Sequence, residues 1–171
     1  MQCYTWNVNG TNAITTSVPN AYNFAGPFTI AVWIKTTAVG GTYTSPLLMW
    51  CTSGGFAEGC KELLTVYSGT GQLNTQWYGG TGPVTYTGLN TGAWTFATLT
   101  YDGSGYLQWY LNGFVDSGGA FALPADVSGA TLQINAGYVG QMNGLRIYNT
   151  VLTGAQIVQV CRATEGTLGV C

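Results

Sequence analysis

What this chain has little of narrows it before any motif is read. Asp, Glu, Lys and Arg make up only 6% of its 171 residues, against about 25% in an average soluble domain, so Thr, Ser, Asn, Gln and the backbone must provide solvation. Lys35, Lys61, Arg146 and Arg162 are scattered along a chain of net charge −2. A nucleic-acid footprint needs its cations clustered on one face, and nucleic-acid binding is not expected. Histidine is absent, which removes Ser-His and Cys-His nucleophiles. There is no Cys-x-x-Cys pair either, which argues against zinc. The many Gly pairs never precede Lys-Ser/Thr at P-loop spacing. The longest apolar run, Phe28 to Ile34 with Thr29 inside it, is far short of the ~20 residues that a membrane helix needs, and no membrane insertion is expected. Met1 leads into Gln2-Cys3-Tyr4 without a basic start or apolar run, so a mature fragment, or a protein not exported by a signal peptide, is expected.

What is present is a succession of short strand-like runs with Gly-rich punctuation. Trp94 to Gly113 is the clearest. Phe96, Thr98 and Thr100 alternate with Ala97, Leu99 and Tyr101, then Leu107, Trp109 and Leu111 alternate with Gln108, Tyr110 and Asn112, the period of two that a strand shows. Asp102-Gly103-Ser104-Gly105 and Asn112-Gly113 supply turn residues that tolerate positive φ. Phe28 to Thr36 places Phe28, Ile30, Val32 and Ile34 on one side and Trp33 on the other, which predicts a central strand. Further strands are expected at 13–18, 47–51, 62–67, 74–78, 84–86, 114–117, 131–136 and 140–149. Thr153 and Gln156 have capping-box spacing, with Ile157, Val160 and Cys161 on one helical face, so a short helix follows. The expectation is all-β: a two-sheet antiparallel β-sandwich with one short C-terminal helix. With no linker and no repeat, residues 1–171 read as a single domain.

Five cysteines, Cys3, Cys51, Cys60, Cys161 and Cys171, point to disulfides or free thiols. Cys51 and Cys60 flank TSGGFAEG and can staple a hairpin, with two buried thiols as the alternative. Cys3, Cys161 and Cys171 lie near the two ends. If the ends meet, one pair can form and one thiol remains, either inert or able to link chains.

W-x-x-A-x-x-Y-D-G-S, L-x-x-Y-x-N-G and G-x-M-x-x-x-R-I-Y-N, in that order, resemble the laminin-G-like, concanavalin A-like lectin/glucanase jelly roll. The opening VNGTNAITTSVPNAYNFAGPFTIAVWIKT is similar too, and the match runs from Val8 to Ile157. The resemblance implies two stacked antiparallel sheets with the chain ends close together. It does not imply one function, since the fold serves lectins, adhesion modules, glycanases and virion proteins. Where family members often carry acids, this chain has Asn9, Ala13, Asn143 and Gly144. Calcium prefers six to eight oxygens with carboxylates among them; here it would have to be held by loops and carbonyls. Asp102, Asp116 and Asp126 read as turn or capping residues, Asn9-Gly10-Thr11 as a turn, and no metal or cofactor is expected.

Glycoside hydrolysis needs two carboxylates about 5 to 9 Å apart. The one close pair, Glu58 and Glu62, lacks the Glu-x-Asp-x-x-Glu strand motif of the related glucanases, so no catalytic residue is assigned. Glycan binding is the sharper site reading, because sugars stack on aromatic rings while amides and hydroxyls bond their rims. Trp77, Tyr78 and Tyr86 supply rings, Asn74 and Gln76 amides, and Tyr43 and Trp50 could join from another loop; ordinary strand packing is the competing explanation. Two readings of function follow. The first is a non-catalytic surface or assembly protein, of the virion capsid-decoration or fibre type, working through contacts with a capsid shell or with itself and through host attachment. The second is a secreted carbohydrate-binding module. Either places the chain outside the cell or on a virion.

Overall fold

The computed structural model describes residues 5–9, 14–16, 24–36, 45–51, 60–67, 69–77, 80–89, 92–124, 130–134, 138–166 and 171. In chain order these form β1 (Thr5–Asn9), β2 (Ile14–Thr16), β3 (Phe28–Thr36), β4 (Ser45–Cys51), β5 (Lys61–Val66), β6 (Leu73–Trp77), β7 (Gly80–Thr81), β8 (Thr95–Tyr101), β9 (Tyr106–Leu111), β10 (Phe114–Ala120), β11 (Thr131–Ile134), β12 (Val139–Tyr148) and α1 (Gly154–Glu165). They make two antiparallel sheets, β1-β12-β3-β8-β9-β10 and β2-β11-β4-β5-β6-β7. The result is a β-sandwich with one C-terminal helix.

The period-two patterns decide which side chains meet. Ile30, Val32 and Ile34 of β3, Leu99 of β8 and Leu107 and Trp109 of β9 face Leu48 and Trp50 of β4, Leu63 of β5 and Leu73 of β6 in one buried cluster. Each such side chain contributes about 1.5–3 kcal/mol. The odd residues of β3 serve a second layer. Ala31 and Trp33, with Phe96 and Tyr110, pack under Ile157 and Cys161 of α1, and the Trp33 indole N–H donates to Thr164 Oγ1 at 2.9 Å. The capping box starts the helix in that position, with Gln156 N–H donating to Thr153 Oγ1 at 3.3 Å and Thr153 N–H to Gln156 Oε1 at 2.8 Å. Disulfides join Cys51 to Cys60 and Cys161 to Cys171, with Cα–Cα distances of 4.6 and 5.9 Å; Cys3 lies outside the described residues.

Asn112 (φ 51°) and Gly113 (φ 85°) form the two-residue turn between β9 and β10, as that dipeptide predicts. Three features differ from expectation, the first being the two-residue strand β7 at Gly80–Thr81, where no strand was expected. Thr5–Asn9 is a strand, pairing with β12. Residues 84–86 are not: Thr85 N–H donates to Leu73 O on β6 and its hydroxyl to Thr87 O, so single bonds to β6 and within the segment stand where a ladder was expected.

Candidate functional site

The outermost strands β7 and β10 lie on one side of the sandwich, and the segment after β7 ties them together. Pro83 sits against β10, where a side chain on Gly119 would reach its Cγ at 3.4 Å, and its carbonyl accepts from the Trp109 indole at 2.9 Å. A bulge in β10 between Val115 and Ser117 releases Asp116 from the β9 ladder. The freed carboxylate accepts from Tyr86 N–H at 2.5 Å and Thr87 N–H at 3.3 Å. Asp116 therefore does the capping work its sequence context predicts, and in doing so holds Tyr86 in place.

Beyond that contact the surface opens into a cleft of about 670 Å³, lined by Thr87, Leu111, Asn112, Phe114, Val115, Asp116 and Cys171. Its walls have different origins. Asn112 is fixed because its Oδ1 accepts from Phe96 N–H at 2.9 Å, leaving the amide nitrogen as donor. Cys171 is held by its disulfide to α1. Phe114 and Val115 are 69% and 61% exposed, and Tyr86, next in chain to Thr87, is 80% exposed. Sequence reasoning passed over Phe114 and Val115. The available signal was two apolar residues in a row just after a tight turn, followed by an acid that breaks the alternation.

The sequence-predicted ring cluster is distributed differently. Trp77 lies at the far end of the same side, its indole over Gly80, where a side chain would come within 2.6 Å of the ring. Phe121 lies beside it, with centroids 6.0 Å apart and planes 19° from parallel. Asn74 and Gln76 alternate onto the outer face of the second sheet. Asn74 is fully buried, its Oδ1 accepting from Thr65 Oγ1 at 2.9 Å while its amide nitrogen has no partner among the described residues. Gln76 donates to the Glu62 carboxylate, whose burial pushes its pKa upward. Trp50 is in the core. The Tyr78, Tyr43, Glu58 and Asp126 readings lie outside the described residues. Asp102 accepts from the Ser104 hydroxyl at 2.7 Å and from the Ser104 and Tyr106 N–H groups at 2.8 and 2.9 Å; these bonds lower its pKa to about 2. Among the described residues no three metal-ligating side chains come together, and no helix is long and apolar enough to cross a membrane.

A two-sheet antiparallel sandwich with one C-terminal helix packed on its first sheet has the architecture of a jelly roll. The chain belongs to the concanavalin A-like lectin/glucanases superfamily, whose family model matches residues 8–158. No curated protein matches it in sequence. Among solved structures it is similar to the ligand-binding domain of botulinum neurotoxin serotype D in complex with N-acetylneuraminic acid, with 14% identity, a TM-score of 0.71 and coverage of 96% of this chain and 42% of that one. A Bacteroides ovatus protein provisionally assigned to carbohydrate binding gives 18%, 0.67, 93% and 47%. The Trypanosoma rangeli sialidase in complex with 2,3-difluorosialic acid gives 15%, 0.67, 98% and 28%. The chain thus spans less than half the length of each, and at these identities the likeness is one of fold.

Proposed function

We propose that this chain is a single-domain, non-catalytic carbohydrate-binding module whose ligand sits in the cleft beside Phe114, with Tyr86 next to it. The observation that carries this reading is that the two most exposed aromatic rings among the described residues, Tyr86 at 80% and Phe114 at 69%, lie beside and in the wall of one open cleft. Exposed rings offer a face to the C–H side of a sugar, and Thr87, Asn112 and Asp116 offer polar groups for its hydroxyls. The similar structures, one solved with sialic acid and one provisionally assigned to carbohydrate binding, support a carbohydrate as the ligand, without fixing its charge. A non-catalytic reading is supported by how the four described acids are placed: Asp102 in a turn, Asp116 in a cap, Glu62 bonded to Gln76 and Glu165 at the end of α1. Two disulfides suit a protein secreted or displayed on a virion, and attachment to a host glycan would serve either setting.

A glycan array followed by titration calorimetry tests this reading. Phe114→Ala is expected to weaken binding about tenfold, as loss of one stacking ring should, with no change in melting temperature. Binding that survives both Phe114→Ala and Tyr86→Ala would overturn the site, and turnover of any bound glycan would overturn the non-catalytic assignment.

A further inference from the structure

Resting on the cleft reading above, we infer that the ligand is a neutral glycan and that Asp116 excludes acidic ones. Of the seven described residues that line the cleft, Asp116 alone carries a charged side chain. Lys61 is buried in the second sheet and Arg146 donates to Gly144 O on β12, while Arg162, exposed on α1, does not line the cleft. A glycan carboxylate would therefore meet an anion without a lining cation to balance it. A sugar hydroxyl meets an acceptor instead. A carboxylate has about four lone-pair sites, and the N–H groups of Tyr86 at Oδ1 and Thr87 at Oδ2 take up only part of them. Hydrogen bonds from neutral donors to a charged acceptor are also stronger than neutral ones. The Asn112 amide nitrogen and the Thr87 hydroxyl complete a rim suited to vicinal hydroxyls, with Phe114 under the ring.

This sets the chain apart from the similar neurotoxin domain that was solved with N-acetylneuraminic acid. In this chain the discrimination rests on one position. Asp116 both pins the Tyr86 segment and supplies the charge, and these roles separate on substitution to Asn, whose carbonyl oxygen still accepts from Tyr86 N–H.

The test uses matched pairs that differ by a terminal sialic acid, such as lactose and sialyllactose, and the corresponding longer oligosaccharides, against wild type, Asp116→Asn and Phe114→Ala. Wild type is expected to prefer the neutral member about tenfold, the effect of one like-charge contact at intermediate dielectric, with the preference shrinking as salt is raised. Asp116→Asn should bring the ratio close to one. Equal or better binding of the sialylated member by wild type through Phe114, or a ratio unchanged in Asp116→Asn, would overturn the inference while leaving the cleft reading intact. Binding of neither member, nor of any glycan on the array, would overturn both.

Discussion

Two pairs of aromatic rings lie along the same side of the sandwich and have opposite fates. At the β7 end, Trp77 rests over Gly80 beside Phe121, and a side chain on Gly82 would touch Phe121 at 3.0 Å. The absence of side chains at two alternate positions makes a seat for two rings. At the other end, Tyr86 and Phe114 stay exposed, and Asp116 accepts from the backbone N–H of Tyr86. Ring type does not distinguish structural from ligand-facing aromatics here. The neighbouring residues differ: glycines lie against Trp77 and Phe121, and a hydrogen-bonded acid lies beside the backbone of Tyr86.

The contrast predicts separable losses. Trp77→Ala should cost about 2 kcal/mol of stability, below the range for a fully buried Trp because the ring is only partly covered, and leave glycan affinity unaltered; denaturant unfolding with calorimetry on the same sample checks both. An affinity loss without a stability loss would show that the two ends had been assigned the wrong way round. Phe114→Ala should do the reverse, changing unfolding free energy by no more than about 0.5 kcal/mol.

The acids sharpen the same point. Glu62 is 4% exposed and its pKa is raised by burial, so the folded state holds its proton more tightly than the unfolded chain. Its ionised form therefore opposes folding at neutral pH, and stability is lost as pH rises above the unfolded value of 4.5 towards the folded one. Glu62→Gln keeps an acceptor for Gln76 and should raise the melting temperature at pH 7 by a few degrees, with the gain fading towards pH 4. Asp102 runs the opposite way. Its folded pKa of about 2 lies below the model-peptide value of 3.8, so its contribution is complete above pH 4 and disappears as pH falls through 2. Asp102→Ala should lower the melting temperature slightly at pH 7, and the gap to wild type should close in acid.

Much of the framework was legible because local and long-range requirements coincide. The two apolar sides of Phe28 to Thr36 serve two layers, the inner cluster and α1. Asn112-Gly113, Thr153 with Gln156, and Cys51 with Cys60 each need only a neighbour in sequence to act, and each does. The residues around the cleft were legible only in part. Tyr86 could be named from its aromatic character, but its role depends on Asp116, thirty positions away. Asn74 and Gln76 adjoin Trp77 in sequence, yet the alternation of β6 sends them to the outer face, where Thr65 and Glu62 take them up. Val84 to Tyr86 looked like a strand because Thr and Tyr favour one; its bonds to Leu73 and Thr87 come from tertiary context that no local pattern carries.

The bridge between Cys51 and Cys60 has a practical consequence. It fixes the end of β4 and the start of β5 with their Cα atoms 4.6 Å apart across a separation of nine positions, so the sheet is anchored independently of whatever amino acids connect them. Foreign peptides could be spliced into that interval at little thermodynamic penalty, since lengthening a closed loop adds cost only logarithmically. The chain would then serve as a display scaffold whose cargo is carried on the sheet opposite α1.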